Sequence, residues 1–383
     1  MAMTTLPLNG AGGCAMMTGK TVLITGGAGF IGSRVAIALA ARHHVRVFDS
    51  FTPQAHPAPA ATRIALARAG VRVITGDMRD PAALGTAMAD TRPDVILHLA
   101  AETGTGQSFS QPAHYVQVNV LGTANLVESV RRHAPHLSRL VLASTRAVYG
   151  EGACIDENGQ PAQAAPRRPD DMALGRFGLR GADGQPLVPV PTDAGCPAAP
   201  ASIYAATKLM QEHLLRQAFW GSATQVGILR LQNVYGPGQS LDNPYTGVLS
   251  IFCRQILEGQ HLSIFEDGRI TRDFVMIDDV VRAFVMMAET PDMPQVTLDI
   301  GSGQGITLLD VARRLLICLG APCDRMQVTG AYRPGDIRHA VADIGKARAQ
   351  LGWAPRVPLD AGLKALARWS ARQLRQPAAR AIA

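Results

Sequence analysis

The sequence has no long charged run, no paired cysteines and no long apolar stretch, and each absence narrows what the protein can be. Its net charge of +7 is spread over 383 residues, without the clustered basic tracts and interleaved aromatics of a nucleic-acid binder. No apolar run reaches the ~18 residues that span a bilayer. We therefore expect neither a nucleic-acid partner nor a membrane partner.

The cysteines and the N-terminal segment indicate a cellular setting. The six cysteines are scattered. None forms a CxxC pair or has metal-ligand spacing, so we expect no metal site and a reducing cytoplasmic location. Residues 1–18 lack the basic and apolar regions of a secretory signal. We expect them to be a disordered lead-in outside the folded unit.

Short apolar runs alternate with helical patterns through the first half of the chain. Continuous apolar strands that alternate with helices are typical of a parallel sheet covered on both faces. We therefore predict an α/β fold with a doubly wound parallel sheet (Rossmann), in which ligands bind at the carboxyl ends of the strands. The predicted strands are 20–25, 45–49, 71–75, 95–99, 140–144 and 225–231, and the main predicted helices are 31–42, 114–133 and 202–220.

Two segments depart from this alternation. Residues 151–200 are rich in proline and glycine, which predicts a surface insertion with little regular structure. Beyond residue 235 the alternation is lost. We therefore divide the chain into a dinucleotide-binding domain over 19–234, which includes the insertion, and a smaller C-terminal substrate-binding lobe over 235–383.

A glycine-rich loop directly follows the first strand and opens a helix. Its glycines are Gly26, Gly29 and Gly32. They suit a tight turn, close approach of a pyrophosphate, and packing of the helix on the sheet, in that order. Phe30 and Ile31 belong to the same loop, which presents backbone N–H groups to the anion. We assign these five residues to a cofactor site.

Carboxylates follow the second and third strands. Asp49 ends the second strand 17 residues after Gly32, where it can accept hydrogen bonds from a ribose diol and repel a 2′-phosphate. This favours NAD over NADP. Asp77 and Met78 follow the third strand, where they suit the amino group and ring edge of adenine, and Asp77 or Asp80 could instead cap the next helix.

Tyr204 and Lys208 are separated by four positions on a predicted helix. They should therefore lie on one face, where the ammonium would lower the pKa of the phenol toward neutrality. Such a tyrosine can accept a carbinol proton while hydride leaves, and Lys208 can also bond a ribose. Thr145 ends the fifth strand and is assigned to the reacting oxygen. We predict Thr145, Tyr204 and Lys208 to be the catalytic residues.

These motifs together resemble the extended short-chain dehydrogenases/reductases, the NAD-dependent epimerase/dehydratase group. The resemblance covers about residues 19–353, with the insertion as its main gap. The motifs that carry it are TGGAGFIG (25–32), GDMRD (76–80), HLAA (98–101), VNVLGT (118–123), LASTRAVYG (142–150), SIYAATK (202–208), LRLQNVYGPGQ (229–239), DGRITRDFVMIDDV (267–280) and RPGDIRHAVAD (333–343).

The resemblance implies roles at matching positions, with a nucleotide diphosphate sugar as substrate. It implies a homodimer that pairs the helices near 114–133 and 202–220. It also implies that the cofactor site is lined by Asn119, Ser144, Leu99, Ala100 and Ala101. On the substrate side it implies that the sugar diphosphate is bound by Asn233, Arg272 and Arg333, with Asp336 at the nucleotide sugar.

The residues after Thr145 narrow the reaction. The dehydratases of this group carry an Asp-Glu pair there and the decarboxylases a Glu, whereas this chain has Arg146 and Ala147. We therefore predict a nucleotide-sugar 4-epimerase. A net dehydrogenase or reductase is the alternative within the group, and a non-catalytic dinucleotide-binding regulator is the alternative outside the enzymes.

The sugar is indicated by residues 231–256 and the insertion, which resemble those of bacterial dTDP-L-rhamnose 4-epimerases. These enzymes make a 6-deoxy-talose nucleotide. UDP-glucose, UDP-galactose and UDP-uronates remain alternative substrates. Some relatives have paired cysteines in the insertion, whereas this chain has only Cys154 and Cys196 nearby, so no zinc is expected.

Overall fold

The computed structural model describes residues 17–56, 58–243, 247–291, 293, 295–333 and 335–375. The lead-in predicted over 1–18 falls almost entirely outside the described residues. At its end, the backbone N–H of Met17 donates to the carbonyl of Glu289 over 3.1 Å.

The strands of the described residues build one large sheet and several small ones. Seven parallel strands form the large sheet in the order β3-β2-β1-β4-β5-β9-β13. In chain order the strands are β1 (Thr21–Thr25), β2 (His44–Asp49), β3 (Arg72–Thr75), β4 (Val95–His98), β5 (Arg139–Thr145), β6 (Ala153–Ile155), β7 (Pro161–Gln163), β8 (Val188–Pro189), β9 (Gln225–Leu231), β10 (Asn233–Tyr235), β11 (Leu262–Ile264), β12 (Thr271–Met276), β13 (Val296–Ile300), β14 (Gly305–Thr307), β15 (Met326–Val328) and β16 (His339–Ala340).

Helices cover both faces of the large sheet. In the described part of the chain no helix is long and apolar enough to cross a membrane. The helices are α1 (Gly32–Ala40), α2 (Pro59–Arg68), α3 (Pro81–Thr91), α4 (Thr105–Ser110), α5 (Pro112–Tyr115), a π-helical segment (Val116–Leu121), α6 (Gly122–His133), a 3-10 turn (Arg146–Tyr149), α7 (Pro169–Ala173), α8 (Ile203–Ala218), α9 (Val248–Leu257), α10 (Ile277–Glu289), α11 (Leu308–Leu319), α12 (Gly345–Leu351) and α13 (Leu359–Arg375).

The predicted doubly wound sheet is confirmed. The apolar strand residues are shared between two cores, one under α1, α10 and α12 and the other under α3, α6 and α8. Strand order reverses between β1 and β4. The loops that leave the carboxyl ends of these two strands therefore open a crevice, which is where ligands bind in this architecture.

The second half of the chain builds a separate core but also returns to the large sheet. Helices α9, α11 and α13 pack on β11 and β12 around residues such as Phe252, Phe274 and Leu315. Strand β13 lies beyond residue 235 yet pairs with β9 in register from Val296 to Ile300. Residues 235–383 therefore do not form the smaller lobe alone, and the domain boundary itself stays a prediction.

The insertion contains long irregular stretches, as its composition predicts, together with three short strands and the short helix α7. Strand β6 pairs with both β7 and β8 in a small antiparallel sheet. Cys154, Leu179 and Leu187 form an apolar cluster beneath it. Pro161 begins β7 and Pro189 ends β8, and at such strand ends the missing N–H group costs no ladder hydrogen bond.

Candidate active site

The glycine loop at the end of β1 is shaped for close approach of an anion. Gly26 has a φ of +66°, and a Cβ built there would lie 2.5 Å from the backbone nitrogen of Ala100 in the loop after β4. Ile31, which precedes α1, provides no side-chain cap. The N–H of Ser33 donates to the carbonyl of Gly29 over 3.0 Å. The start of α1 nevertheless presents its positive end to a phosphate, since a helix N-terminus favours negative charge. These features fit a dinucleotide pyrophosphate.

Asp49 ends β2 with its carboxylate turned back to the glycine loop. Its oxygens accept hydrogen bonds from the backbone N–H groups of Ala28 and Phe51, both at 2.9 Å, and one lies 3.1 Å from Nε2 of His56. Burial opposes ionisation of Asp49, but the His56 contact and the backbone hydrogen bonds outweigh it and lower its pKa. The carboxylate is therefore charged at neutral pH. The sequence offered no signal for His56.

The residues after β3 are placed differently from the expectation for an adenine site. Asp77 pairs with Arg79 over 2.6 Å at the surface. The helix cap is Asp80, which accepts hydrogen bonds from the N–H groups of Ala82 and Ala83. Met78 is buried in the core between α3 and α6. A contact of Asp77 or Met78 with adenine stays a prediction.

The loop after β4 is held by buried side chains. Asn119 accepts from the N–H of Glu102 over 2.8 Å and donates to the Glu102 carbonyl and to Oγ1 of Thr207. This ties residues 99–102, which include Ala100 and Ala101, to α8. Leu99 packs partly buried against the first core and Ala100 against the second. Asn119 therefore shapes the wall of the crevice.

Thr145 and Tyr204 are brought together although 59 positions separate them in the chain. Ser202 caps α8 by accepting from the N–H of Ala205. This fixes the first turn of the helix, which carries Tyr204. The hydroxyl group of Thr145 lies beside that of Tyr204 and favours its ionised form, which lowers the pKa of the phenol against the effect of burial. The Tyr115 ring packs edge-on to Tyr204 with centroids 6.4 Å apart.

The expected effect of Lys208 on the Tyr204 phenol is wrong. Burial raises the pKa of Tyr204, and the groups that act against this rise are Thr145 and the charge of Arg146. The ammonium of Lys208 instead donates to Oε1 of Gln211, and burial lowers its pKa to about 7. The i, i+4 spacing placed both residues on one helix but did not determine where the flexible lysine points.

Ser144, expected to line the cofactor, uses its hydroxyl in a buried network. It donates to Oε1 of Glu212 over 2.6 Å. Arg230 donates to both oxygens of the same carboxylate at 2.9 and 2.7 Å. Ser144 therefore connects β5 to α8 and, through Glu212, to β9. Because its hydroxyl is used in this network, it is not directed into the crevice.

The predicted substrate residues are brought together only in part. Arg272 is buried and donates to Oδ1 of Asp336 over 2.8 Å. Arg333 is exposed and stacks on the Phe265 ring with its guanidinium 4.7 Å from the centroid. Asn233 begins β10 and is half-buried. Asp336 thus orients Arg272, while the side chain of Arg333 contacts Phe265.

The sequence did not identify two arginines that belong to this region. Arg146 follows Thr145, and its charge acts on Arg272, Asp336 and Tyr204. Arg167 of the insertion donates to Glu151, Glu266 and the backbone carbonyl of Asp336. In the sequence, position 146 was used only to show that the carboxylate of the dehydratases and decarboxylases is absent. No local signal distinguishes Arg167 from other arginines.

Comparison with known proteins agrees with this geometry. The model of the NAD dependent epimerase/dehydratase family matches residues 22–170 and 181–301. A dTDP-L-rhamnose 4-epimerase of Burkholderia thailandensis is 42% identical, with 94% of this chain and 97% of that protein covered.

Solved structures extend the comparison. The UDP-glucose 4-epimerase of Thermotoga maritima with UDP-glucose superposes with a TM-score of 0.72 at 27% identity, covering 92% and 99% of the two chains. The UDP-glucose 4-epimerase of Thermus thermophilus in complex with NAD gives a TM-score of 0.71 at 27% identity, covering 91% and 98%. With a family model that spans most of its length, this chain belongs to the NAD dependent epimerase/dehydratase family.

Proposed function

We propose that this protein is an NAD-dependent nucleotide-sugar 4-epimerase that converts dTDP-L-rhamnose into dTDP-6-deoxy-L-talose. The observation that carries the proposal is the placement of Thr145, at the carboxyl end of β5, beside Tyr204 in the first turn of α8, at the edge of the sheet that also carries the glycine loop. The 42% identity with a dTDP-L-rhamnose 4-epimerase supports the sugar.

The chain's residues divide between cofactor and substrate. The loop of Gly26, Gly29 and Gly32, with Phe30 and Ile31, would hold the pyrophosphate of NAD, and Asp49 would accept the ribose hydroxyls. The chemistry that NAD would supply there is reversible hydride transfer with C4 of the sugar. The substrate contacts assigned to the sugar diphosphate are Arg272, Arg333 and Asn233, and Asp336 acts through its hold on Arg272.

The side chains of this protein manage the proton. Tyr204 as phenolate removes the proton from the C4 hydroxyl while the C4–H bond breaks with its electron pair. Thr145 bonds the reacting oxygen and keeps it aligned with the phenol. After the 4-keto sugar has rotated so that its other face meets the hydride, Tyr204 returns the proton to the oxygen. The alcohol of inverted configuration is then formed. No net redox change results.

The same assignment includes assembly and domain organisation. We propose a homodimer that pairs the helices near 114–133 and 202–220. The apolar residues Leu121 and Met210 on these helices are 48% and 49% exposed, which fits a covered surface. Sedimentation of the purified protein tests this. A cofactor domain over 19–234 and a substrate lobe beyond it are proposed with it, with β13 as the strand by which the second half of the chain returns to the large sheet.

The test is incubation with dTDP-L-rhamnose or with UDP-glucose, without added reductant, followed by NMR of the sugar anomeric protons. We expect a C4 epimer to reach equilibrium from dTDP-L-rhamnose alone. A product only from UDP-glucose would keep the reaction and replace the substrate. The Tyr204→Phe variant should retain NAD and lose at least about 100-fold in rate. Unchanged activity in that variant would contradict the role of Tyr204.

A further inference from the structure

Arg146 lies where the reacting proton is handled. It directly follows Thr145 and opens the 3-10 turn Arg146–Tyr149, which packs on α8 through Ala147 and Ala205 beside Tyr204. Although the residue as a whole is half-buried, its Nη1 atom is fully buried and has no hydrogen-bond partner among the described residues. A buried donor without a partner is costly in a folded protein and points to a function.

Among the residues that the structure describes, no carboxylate forms an ion pair with Arg146. Asp336 is bound to Arg272 at 2.8 Å, and Glu151 is bound to Arg167 at 3.0 Å. Both carboxylates face Arg146, and Arg272 faces it with the same charge. Burial first and Arg272 second lower the pKa of Arg146 to about 9. The pocket therefore favours any new negative charge that forms beside Arg146.

Tyr204 is the group in which that charge can form. Thr145 and Arg146 are the groups that favour its phenolate, against burial. Lys208 is occupied by Gln211 and has Glu212 as its charged neighbour. With a pKa of about 7, Lys208 carries only part of its charge at neutral pH. Arg146 remains a cation there and faces the phenol from the end of β5.

We propose that Arg146 is a positioning residue that stabilises the phenolate form of Tyr204, the form that accepts the proton of the sugar hydroxyl. This inference rests on the proposed epimerase function. An arginine suits the task because its charge persists in a buried site where an ammonium loses its proton more readily. The spacing of Lys208 predicted that it would supply the cation beside the phenol. In the structure that cation is Arg146, which lies on a different element.

The first test is the pH profile of kcat/KM for Arg146→Gln and Arg146→Lys. Activity that requires phenolate falls as the pH drops through the pKa of Tyr204. Loss of a neighbouring cation raises that pKa, so the acid limb of Arg146→Gln should move up by about one pH unit. Arg146→Lys keeps a cation and should restore most of the shift. Arg333→Gln removes an exposed guanidinium and should raise KM with the acid limb in place.

The second test needs no turnover. Ultraviolet tyrosinate absorption is titrated in the holoprotein, and the curve of each variant's Tyr204→Phe double is subtracted to isolate Tyr204. The pH of the isolated transition should move upward in Arg146→Gln. If that variant does not fold, Arg146→Met, which keeps an apolar stem, takes its place and should show the same upward shift.

The outcomes separate the two ideas. A shifted titration in a protein that epimerises no nucleotide sugar would sustain the role of Arg146 and remove the proposed function. An epimerase whose acid limb and titration are the same in wild type and in the folded uncharged variant would overturn the role of Arg146.

Discussion

Arg167 is predicted to fasten the insertion to the C-terminal half of the chain. Its guanidinium lies 3.0 Å from Glu151 and 2.6 Å from Glu266, and a third hydrogen bond goes to the carbonyl of Asp336. The side chains of Arg167 and Glu266 are only 7% and 1% exposed. Such a pair is poorly screened by solvent, so removal of one partner leaves a buried charge uncompensated.

The magnitude follows from what remains after Arg167→Met. Glu266 keeps its pairing with Arg338, and Glu151 keeps the backbone N–H of Arg338 at 2.7 Å. Partial compensation places the expected loss near the lower end of the range for broken buried pairs, about 3 kcal/mol in the free energy of unfolding. Urea unfolding followed by circular dichroism measures it.

The control is the next residue in the chain. Arg168 is 76% exposed and its ion pair with Asp170 is 3.7 Å long, so Arg168→Met should stay within about 0.5 kcal/mol of wild type. If Arg167→Met is also within that margin, the ion pairs do not hold the insertion and the reasoning is refuted.

The loss caused by Arg167→Met should also depend on pH. Burial raises the pKa of Glu151, and Arg167 is the largest of the influences that oppose the rise. Without Arg167 the folded state binds a proton at Glu151 more readily than the unfolded chain does. A folded-state pKa that is raised adds stability as the pH falls, so the variant's deficit should be smaller at pH 5 than at pH 8.

Two further predictions test the cofactor loop and a buried acid. Gly26→Ala should weaken NAD binding at least about 10-fold, because its Cβ would lie 2.5 Å from the Ala100 backbone. The control is Gly70→Ala, which has a similar positive φ but nothing within 4 Å and should bind NAD as wild type does. Calorimetric titration compares the two variants, and equal affinities would contradict the role of Gly26 in the cofactor site. Burial raises the pKa of Asp299 to about 7 while Tyr149 donates to it over 2.7 Å, so the contribution of Asp299 to stability should decline as the pH rises from about 4 to 7, by at most about 1.4 kcal/mol per unit. Asp299→Asn should flatten that decline in urea unfolding, and an unchanged slope would show that Asp299 is not its source.

Local sequence patterns were sufficient to predict the features that depend on a few consecutive residues. The apolar runs predicted six of the seven strands of the large sheet to within one residue at each end, as at β9, where 225–231 was predicted and Gln225–Leu231 is observed. The seventh, β13, was not predicted. The glycine spacing located the loop whose close approach to Ala100 demands glycine at Gly26. Such features depend on backbone conformation and burial over a few consecutive residues, which sequence periodicity records directly.

The roles of charged side chains were decided by tertiary structure. Lys208 shares a helix with Tyr204, yet the cation that favours the phenolate is Arg146 on another element. The partners of Arg167 include Glu266, 99 positions away, and Asp336 holds Arg272 across 64 positions. A long side chain can reach several neighbours, and its choice follows from burial and from competing charges that are set only when distant segments pack together.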